Sequence, residues 1–330
     1  MKRAFKWIGG LLLVALIGLF TIGYTPDTDP SEMRAKYTNK ASQFVDVGGG
    51  LTMHVRDEGK RDGPVLVLLH GSNASLHTWE PWVALLGAKY RIISLDQIGH
   101  GLTGPNPNGQ YDGAAFVSTL DALLTKMGVT RFALAGNSMG GYVAWEYALA
   151  HPDKLTHLVL VDAGGPPDDP NKKLPIGFRI ARTPGLSKIA LVITPRSVFE
   201  KSVHQSVSNQ AIVTPAVIDR YWELNRYPGN RKATGERFAQ YGKRDANTGR
   251  LSEIKVPTLI LWGDQDKLIP VAGADWFAAR IPGSAKIIYP GIGHMPMEEA
   301  AQRSAADLDA FLSKPFPSPA KPPSIAPAKP

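Results

Sequence analysis

Six short apolar runs, spaced by longer stretches of different pattern, constrain this chain more than any other feature. They are Val65–Leu69 (VLVLL), Arg91–Leu95 (RIISL), Phe132–Ala135 (FALA), Leu158–Val161 (LVLV), Thr258–Trp262 (TLILW) and Lys286–Tyr289 (KIIY). Near-continuous aliphatic runs of this length are what strands buried on both faces look like. Helical stretches such as Ala115–Met127 and Gly140–Ala150 separate most of them, and Ala301–Leu312 follows the last. Parallel strands need crossovers of that length, so the alternation predicts an α/β fold, a mostly parallel sheet flanked by helices. Gln43–Val47 and Thr52–Arg56, around Gly48-Gly49-Gly50, predict an opening antiparallel hairpin. From about 164 to 247 the rhythm gives way to Pro-rich and amphipathic segments. The expected division is therefore core over 43–163, an inserted helical cap over 164–247, and core again over 248–314.

The two ends read differently. Trp7–Tyr24 (WIGGLLLVALIGLFTIGY) is uncharged and follows Lys2, Arg3 and Lys6. It is long enough to cross a hydrocarbon core of about 30 Å as a helix, and no small-residue cleavage pattern closes it. Residues 1–25 thus predict an uncleaved transmembrane anchor, with secretion after signal cleavage as the alternative. Basic flanks stay cytoplasmic, which places the rest of the chain outside the cytoplasm, periplasmic or extracellular. Residues 26–42 are polar without an apolar period and predict a linker. The tail 315–330 has seven Pro in sixteen residues and predicts an extended, disordered end.

Net charge is +8, from 37 Lys and Arg against 29 Asp and Glu. Lys2, Arg3, Lys6, Lys314, Lys321 and Lys329 lie in the tails, and removing those six leaves 31 against 29. A nearly neutral middle without a basic, aromatic-interleaved patch argues against a nucleic-acid partner. No G-x-G-x-x-G or P-loop occurs, so no nucleotide cofactor is expected. With no Cys and no histidine at ligand spacing, no metal is expected either.

The strongest local signal is Gly136-Asn137-Ser138-Met139-Gly140-Gly141, a G-x-S-x-G between a strand-like FALA and a helix-like GYVAWEYALA. At such a turn the serine hydroxyl stands above the sheet, and the helix N-terminus leaves the Met139 N–H available to an oxyanion. A serine nucleophile needs a base and an acid to orient it, in the order Ser, acid, His. After TLILW the loop Gly263–Pro270 holds Asp264 and Asp266. After KIIY the loop Pro290-Gly291-Ile292-Gly293-His294 holds the last histidine. Loops at the carboxyl ends of parallel strands converge, so these groups can meet despite their separation. The second oxyanion donor is expected from VLVLLHGSNAS, at Ser72 N–H or alternatively Asn73. His70 and His100 read as loop-bracing residues.

Taken in order, HGSN, DQIGHG, GNSMGG, WGDQDKLIP and GIGHMPMEE resemble the α/β-hydrolase superfamily over about Phe44 to Leu312. The resemblance implies an α/β-hydrolase fold, with Ser138 as nucleophile, His294 as general base and Asp266 as orienting acid, Asp264 being the fallback. It makes 164–247 the lid over a substrate pocket. Dehalogenases and epoxide hydrolases of this fold use Asp at the elbow, which Ser138 argues against. Met295 after the histidine and the HGSNAS loop depart from meta-cleavage C–C hydrolases. The expected function is therefore hydrolysis of an apolar carboxylic ester through an acyl-enzyme. C–C hydrolysis is the alternative, and a non-catalytic ligand sensor on the same fold a further one.

Overall fold

The computed structural model describes residues 23–167, 176–183 and 185–314, together with Gly18. Most of the expected membrane-spanning run, and the whole Pro-rich tail, lie outside them. Among the described residues no helix is long and apolar enough to cross a membrane.

Eight strands form one sheet: β1 (Ser42–Gly48), β2 (Leu51–Gly59), β3 (Val65–Leu69), β4 (Arg91–Leu95), β5 (Phe132–Asn137), β6 (Leu155–Val161), β7 (Thr258–Gly263) and β8 (Ala285–Tyr289). Their spatial order is β1-β2-β4-β3-β5-β6-β7-β8. β2 pairs antiparallel with β1 and with β4, and the other neighbours are parallel. Alternation along each strand divides the core between two faces. Val67, Leu69, Leu134, Leu160 and Ile260 pack on one side, and Leu66, Leu68, Ala135, Val159 and Leu261 on the other.

In chain order the helices are α1 (Pro30–Tyr37), α2 (Glu80–Leu86), α3 (Gly113–Lys126) and α4 (Met139–Ala150), then α5 (Ile176–Arg182), α6 (Leu186–Ile189), α7 (Arg196–Ser206), α8 (Pro215–Asn225) and α9 (Asn230–Ala239), and finally α10 (Ala272–Ala278), α11 (Pro296–Glu299) and α12 (Ala301–Leu312). Phe116, Leu120, Tyr142 and Phe277 bring α3, α4 and α10 onto the first face. Trp82, Leu86, Leu308 and Phe311 bring α2 and α12 onto the second. The five helices α5 to α9 form the cap between β6 and β7.

One expectation needs correction. Residues 26–42, expected to be a linker, contain α1. Asp29 caps it, its Oδ1 accepting from Ser31 N (2.7 Å) and Glu32 N (3.1 Å), and Pro30 occupies the first turn, where a missing N–H costs nothing. Met33 and Tyr37 are buried against Leu102, Leu224 and Tyr227. Two large apolar side chains in eight residues leave almost no period to read, and the surface that buries them comes from distant parts of the chain.

Candidate active site

β5 ends at Asn137 and α4 begins at Met139, so Ser138 makes the whole turn. Its backbone sits at φ 54°, ψ −116°. A non-glycine residue held there costs about 1–3 kcal/mol, which its neighbours must over-determine. They do so by close approach. A Cβ at Gly136 would lie 2.2 Å from the Gly140 carbonyl oxygen, and one at Gly140 would lie 2.1 Å from that of Leu69. Ser138 N donates to Val161 O (3.0 Å), and Gly164 N donates to Ser138 O (2.8 Å). The half-buried side chain lines a cavity that also includes His294.

Of the two carboxylates considered, the structure pairs Asp266 with His294. His294 Nδ1–H donates to Asp266 Oδ2 (2.7 Å), while Asp266 Oδ1 accepts from Leu268 N (2.7 Å) and Ile269 N (3.0 Å). Asp264 instead accepts from Gly291 N (2.7 Å) and braces the turn before the histidine. With Nδ1 carrying the proton, Nε2 keeps its lone pair. No hydrogen bond joins Ser138 Oγ to the imidazole among the described residues. In hydrolytic sites that contact commonly tightens only once substrate is bound. Asn137 Nδ2 donates to Val161 O (3.2 Å) and His294 O (3.0 Å), tying the elbow to the histidine loop.

Three residues at the site escaped sequence reasoning. Asp162, directly after β6, is fully buried at φ 45°. One oxygen of Asp162, one of Asp266 and one His294 ring nitrogen lie within 4.8 Å of one another. Burial, reinforced by the Asp266 charge, pushes the Asp162 carboxyl well above the usual range. Such a trio has the spacing of a cation site. However, the His294–Asp266 bond already uses two of its members. The position was visible as another acid at the carboxyl end of a strand run.

Glu299 is the second. Its Oε2 accepts from Ser208 N (2.8 Å), Asn209 N (2.9 Å) and Gly293 N (3.1 Å), and its Oε1 from Met295 N (3.2 Å). One carboxylate thereby organises both the histidine loop and the end of α7, where His294 N also donates to Ser206 O (3.1 Å). Arg237 of α9 is the third. Its guanidinium donates to Ser72 Oγ (3.0 Å) and Asn73 Oδ1 (2.7 Å), and Thr234 Oγ1 donates to the same Asn73 oxygen (3.1 Å). No local signal links residues some 165 positions apart.

The oxyanion loop passes close to the serine. A Cβ at Gly71 would lie 3.0 Å from Asn137 Oδ1 and 3.2 Å from Ser138 Cβ. Ser72 and Asn73 border the cavity beside Ser138, and Met139 opens α4, whose first-turn N–H groups have no partner within the helix. His70 braces this loop. Nδ1 donates to Gly71 O (2.7 Å), Nε2 accepts from Gln97 N (3.1 Å), and Gln97 Nε2 donates to His70 O (2.7 Å). Burial lowers its pKa and keeps it neutral. His100 is likewise buried and neutral, its Nδ1 on Ile98 O (2.9 Å).

The cavity has a volume of about 290 Å³ and runs from Ser138 up between the cap helices. Phe178, Ile189, Ile193, Val198, Phe199 and Val203 give it an apolar wall.

A model of the α/β hydrolase fold family matches residues 64–301. The chain is 28% identical over 291 residues to a 2-hydroxy-6-oxononadienedioate/2-hydroxy-6-oxononatrienedioate hydrolase of Burkholderia vietnamiensis, covering 84% of this chain and 96% of that one. It is similar to a membrane phospholipase A described as a bacterial virulence factor, with a TM-score of 0.72, 26% identity, and coverage of 94% of this chain and 98% of that one. A thermophilic esterase from Thermogutta terrifontis shares the fold, with a TM-score of 0.68 and 24% identity, over 83% of this chain and 98% of that one. With the serine elbow, the strand order and the family match in agreement, the chain belongs to the α/β hydrolase fold family.

Proposed function

We propose that this protein is a serine hydrolase that cleaves carboxylic esters with an apolar acyl part. His294 Nε2 takes the Ser138 proton and Ser138 Oγ attacks the carbonyl carbon. The Met139 and Ser72 N–H groups hold the oxyanion. His294 then gives its proton to the departing alcohol, and water releases the acid from the acyl-enzyme. Asp266 keeps the imidazole in the required tautomer and stabilises the imidazolium. The observation that carries this reading is the strained Ser138 on the same cavity as a histidine whose Nδ1 is already bonded to a buried carboxylate.

C–C hydrolysis is the second reading, favoured by the dienedioate hydrolase relative. A dianionic substrate of that kind calls for cations along the pocket. Arg231, which lines it, is held by Asp27 (2.5 Å) and Thr25 O (2.7 Å), and the wall is otherwise mostly apolar. That composition supports the ester reading.

The proposal includes attachment to a membrane through Trp7–Tyr24, with the catalytic domain outside the cytoplasm. Purified protein should hydrolyse p-nitrophenyl esters, and Ser138→Ala should lower kcat by several orders of magnitude. Equal turnover after that change would refute the assignment. A dienone-type C–C substrate assayed alongside separates the two readings.

A further inference from the structure

The residues just after the apolar N-terminal run are fastened to the cap. Thr25 N donates to Val192 O (2.8 Å), Tyr24 bridges to Ile193, and a Cβ at Gly23 would lie 3.1 Å from the Ile193 side chain. Arg231 holds Asp27 and Thr25 O, Arg226 donates to Pro26 O (3.1 Å), and Lys36 and Tyr37 Oη both bond Glu223 on α8. The chain between the apolar run and the cap therefore has no slack. Ile193, where it arrives, lines the cavity.

The same corner carries exposed apolar surface. Tyr24 is 52% exposed, Leu186 46% and Ile189 51%, three of the four large hydrophobic side chains most exposed among the described residues. Leu186 and Ile189 also border the cavity. From 176 to 195 the sequence has Arg179, Arg182 and Lys188 and no acid, with Arg179 and Lys188 exposed. Apolar side chains beside the exposed Arg179 and Lys188 suit an interface whose interior is hydrocarbon and whose headgroups are anionic.

Resting on the membrane attachment and ester hydrolysis proposed above, we infer that the cap face formed by Tyr24, Leu186, Ile189 and the flanking cations lies against the lipid bilayer. The substrate is then an acyl ester lipid of that bilayer, whose chain enters the cavity between α6 and the Ile193 wall. Attachment through an apolar run that ends where Gly23 and Tyr24 meet Ile193 would hold this face of the cap close to the headgroups.

The chain has no Cys, so one introduced thiol gives a unique label. Full-length protein carrying an environment-sensitive fluorophore at Lys188→Cys, or at Lys126→Cys, is reconstituted into phosphatidylglycerol–phosphatidylethanolamine vesicles containing doxyl-labelled lipid. Lys126 ends α3, at the opposite end of the sheet from the cap, and is exposed. Quenching is expected at 188 and not at 126. A label at 188 that stays unquenched, or equal quenching at both positions, overturns the inference, including the case in which a second copy of the chain covers this face.

Arg179→Glu/Lys188→Glu should lower hydrolysis of vesicle phospholipid by about tenfold or more while turnover of soluble p-nitrophenyl butyrate is unchanged. An unchanged ratio of the two activities counts against it. Quenching at 188 in a protein without soluble-ester turnover would sustain the surface assignment and overturn the hydrolase reading alone.

Discussion

Ser138 owes its position to atoms its neighbours lack. Gly140→Ala sets a methyl against the Leu69 carbonyl at a distance no Cβ tolerates, so the elbow must open or the helix shift. Loss of most ester turnover, together with a lower Tm, is expected in parallel kinetic and thermal-unfolding measurements. Asp266→Asn preserves shape but lets an amide face Nδ1, favouring the wrong tautomer. A fall in kcat of about 10⁴-fold is expected with little change in KM. Asp162 behaves differently because burial pushes its carboxyl towards the neutral form and it occupies a left-handed backbone position that Asn also tolerates. Asp162→Asn should keep kcat within a few-fold, whereas Asp162→Ala adds backbone strain of about 1 kcal/mol or more and leaves a void beside Asp266. If the Asn variant lost activity as Asp266→Asn does, Asp162 would be acting as an ionised group, contrary to the burial argument.

At the scale of elements, β5, β6, β7 and β8 each deliver one chemical group at their carboxyl ends, and the cap fastens the loops between them. β3 and β4 were legible at both ends, since a fully buried strand is a run of apolar residues bounded by polar ones. The hairpin and the β5–α4 elbow were equally legible, because glycine clusters and a strand-to-helix switch are local signals. α1 and the brace formed by Glu299 were not, because α1 packs on distant parts of the chain and Glu299 ties its own loop to Ser208 and Asn209, some 90 residues before it. Glu299 accepts four backbone N–H groups, and an amide in its place can accept at one end only while its NH₂ opposes the others. Glu299→Gln should destabilise the protein by about 2–3 kcal/mol in chemical denaturation and lower kcat through the loosened histidine loop. Full stability with full activity in that variant would show that the brace is dispensable.

For the whole molecule, the contact between cap and core contains a titrating element. Glu298 of α11 lies 4.0 Å from Arg220 of α8. Burial pushes the Glu298 carboxyl up to about 7, and Arg220 opposes that shift only in part. The native state therefore holds a proton that the unfolded chain has already released above its ordinary carboxyl range, near 4.5. Stability from this group consequently falls as pH rises from about 4.5 to about 7 and is level on either side. The difference in Tm between wild type and Glu298→Gln, followed across that range, should grow with pH in favour of the variant. A constant difference would place the Glu298 pKa at its ordinary value.

The sequence by itself determined the parallel core, the serine elbow and the order of serine, acid and histidine, because these rest on periodicity, glycine placement and strand-end loops confined to short windows. It left Asp264 and Asp266 both open on spacing alone, and only the resemblance favoured the second. The tertiary structure decided between them, because only packing shows which carboxylate meets the imidazole. Tertiary structure also decided that the Asp162 carboxyl is pushed up, since that shift follows from burial beside another carboxylate. Residues 26–42 looked like a free tether, and the chain from Pro26 to Tyr37 is instead held to the cap, because its capped helix, ion pairs and buried Tyr37 have partners as many as 204 residues away.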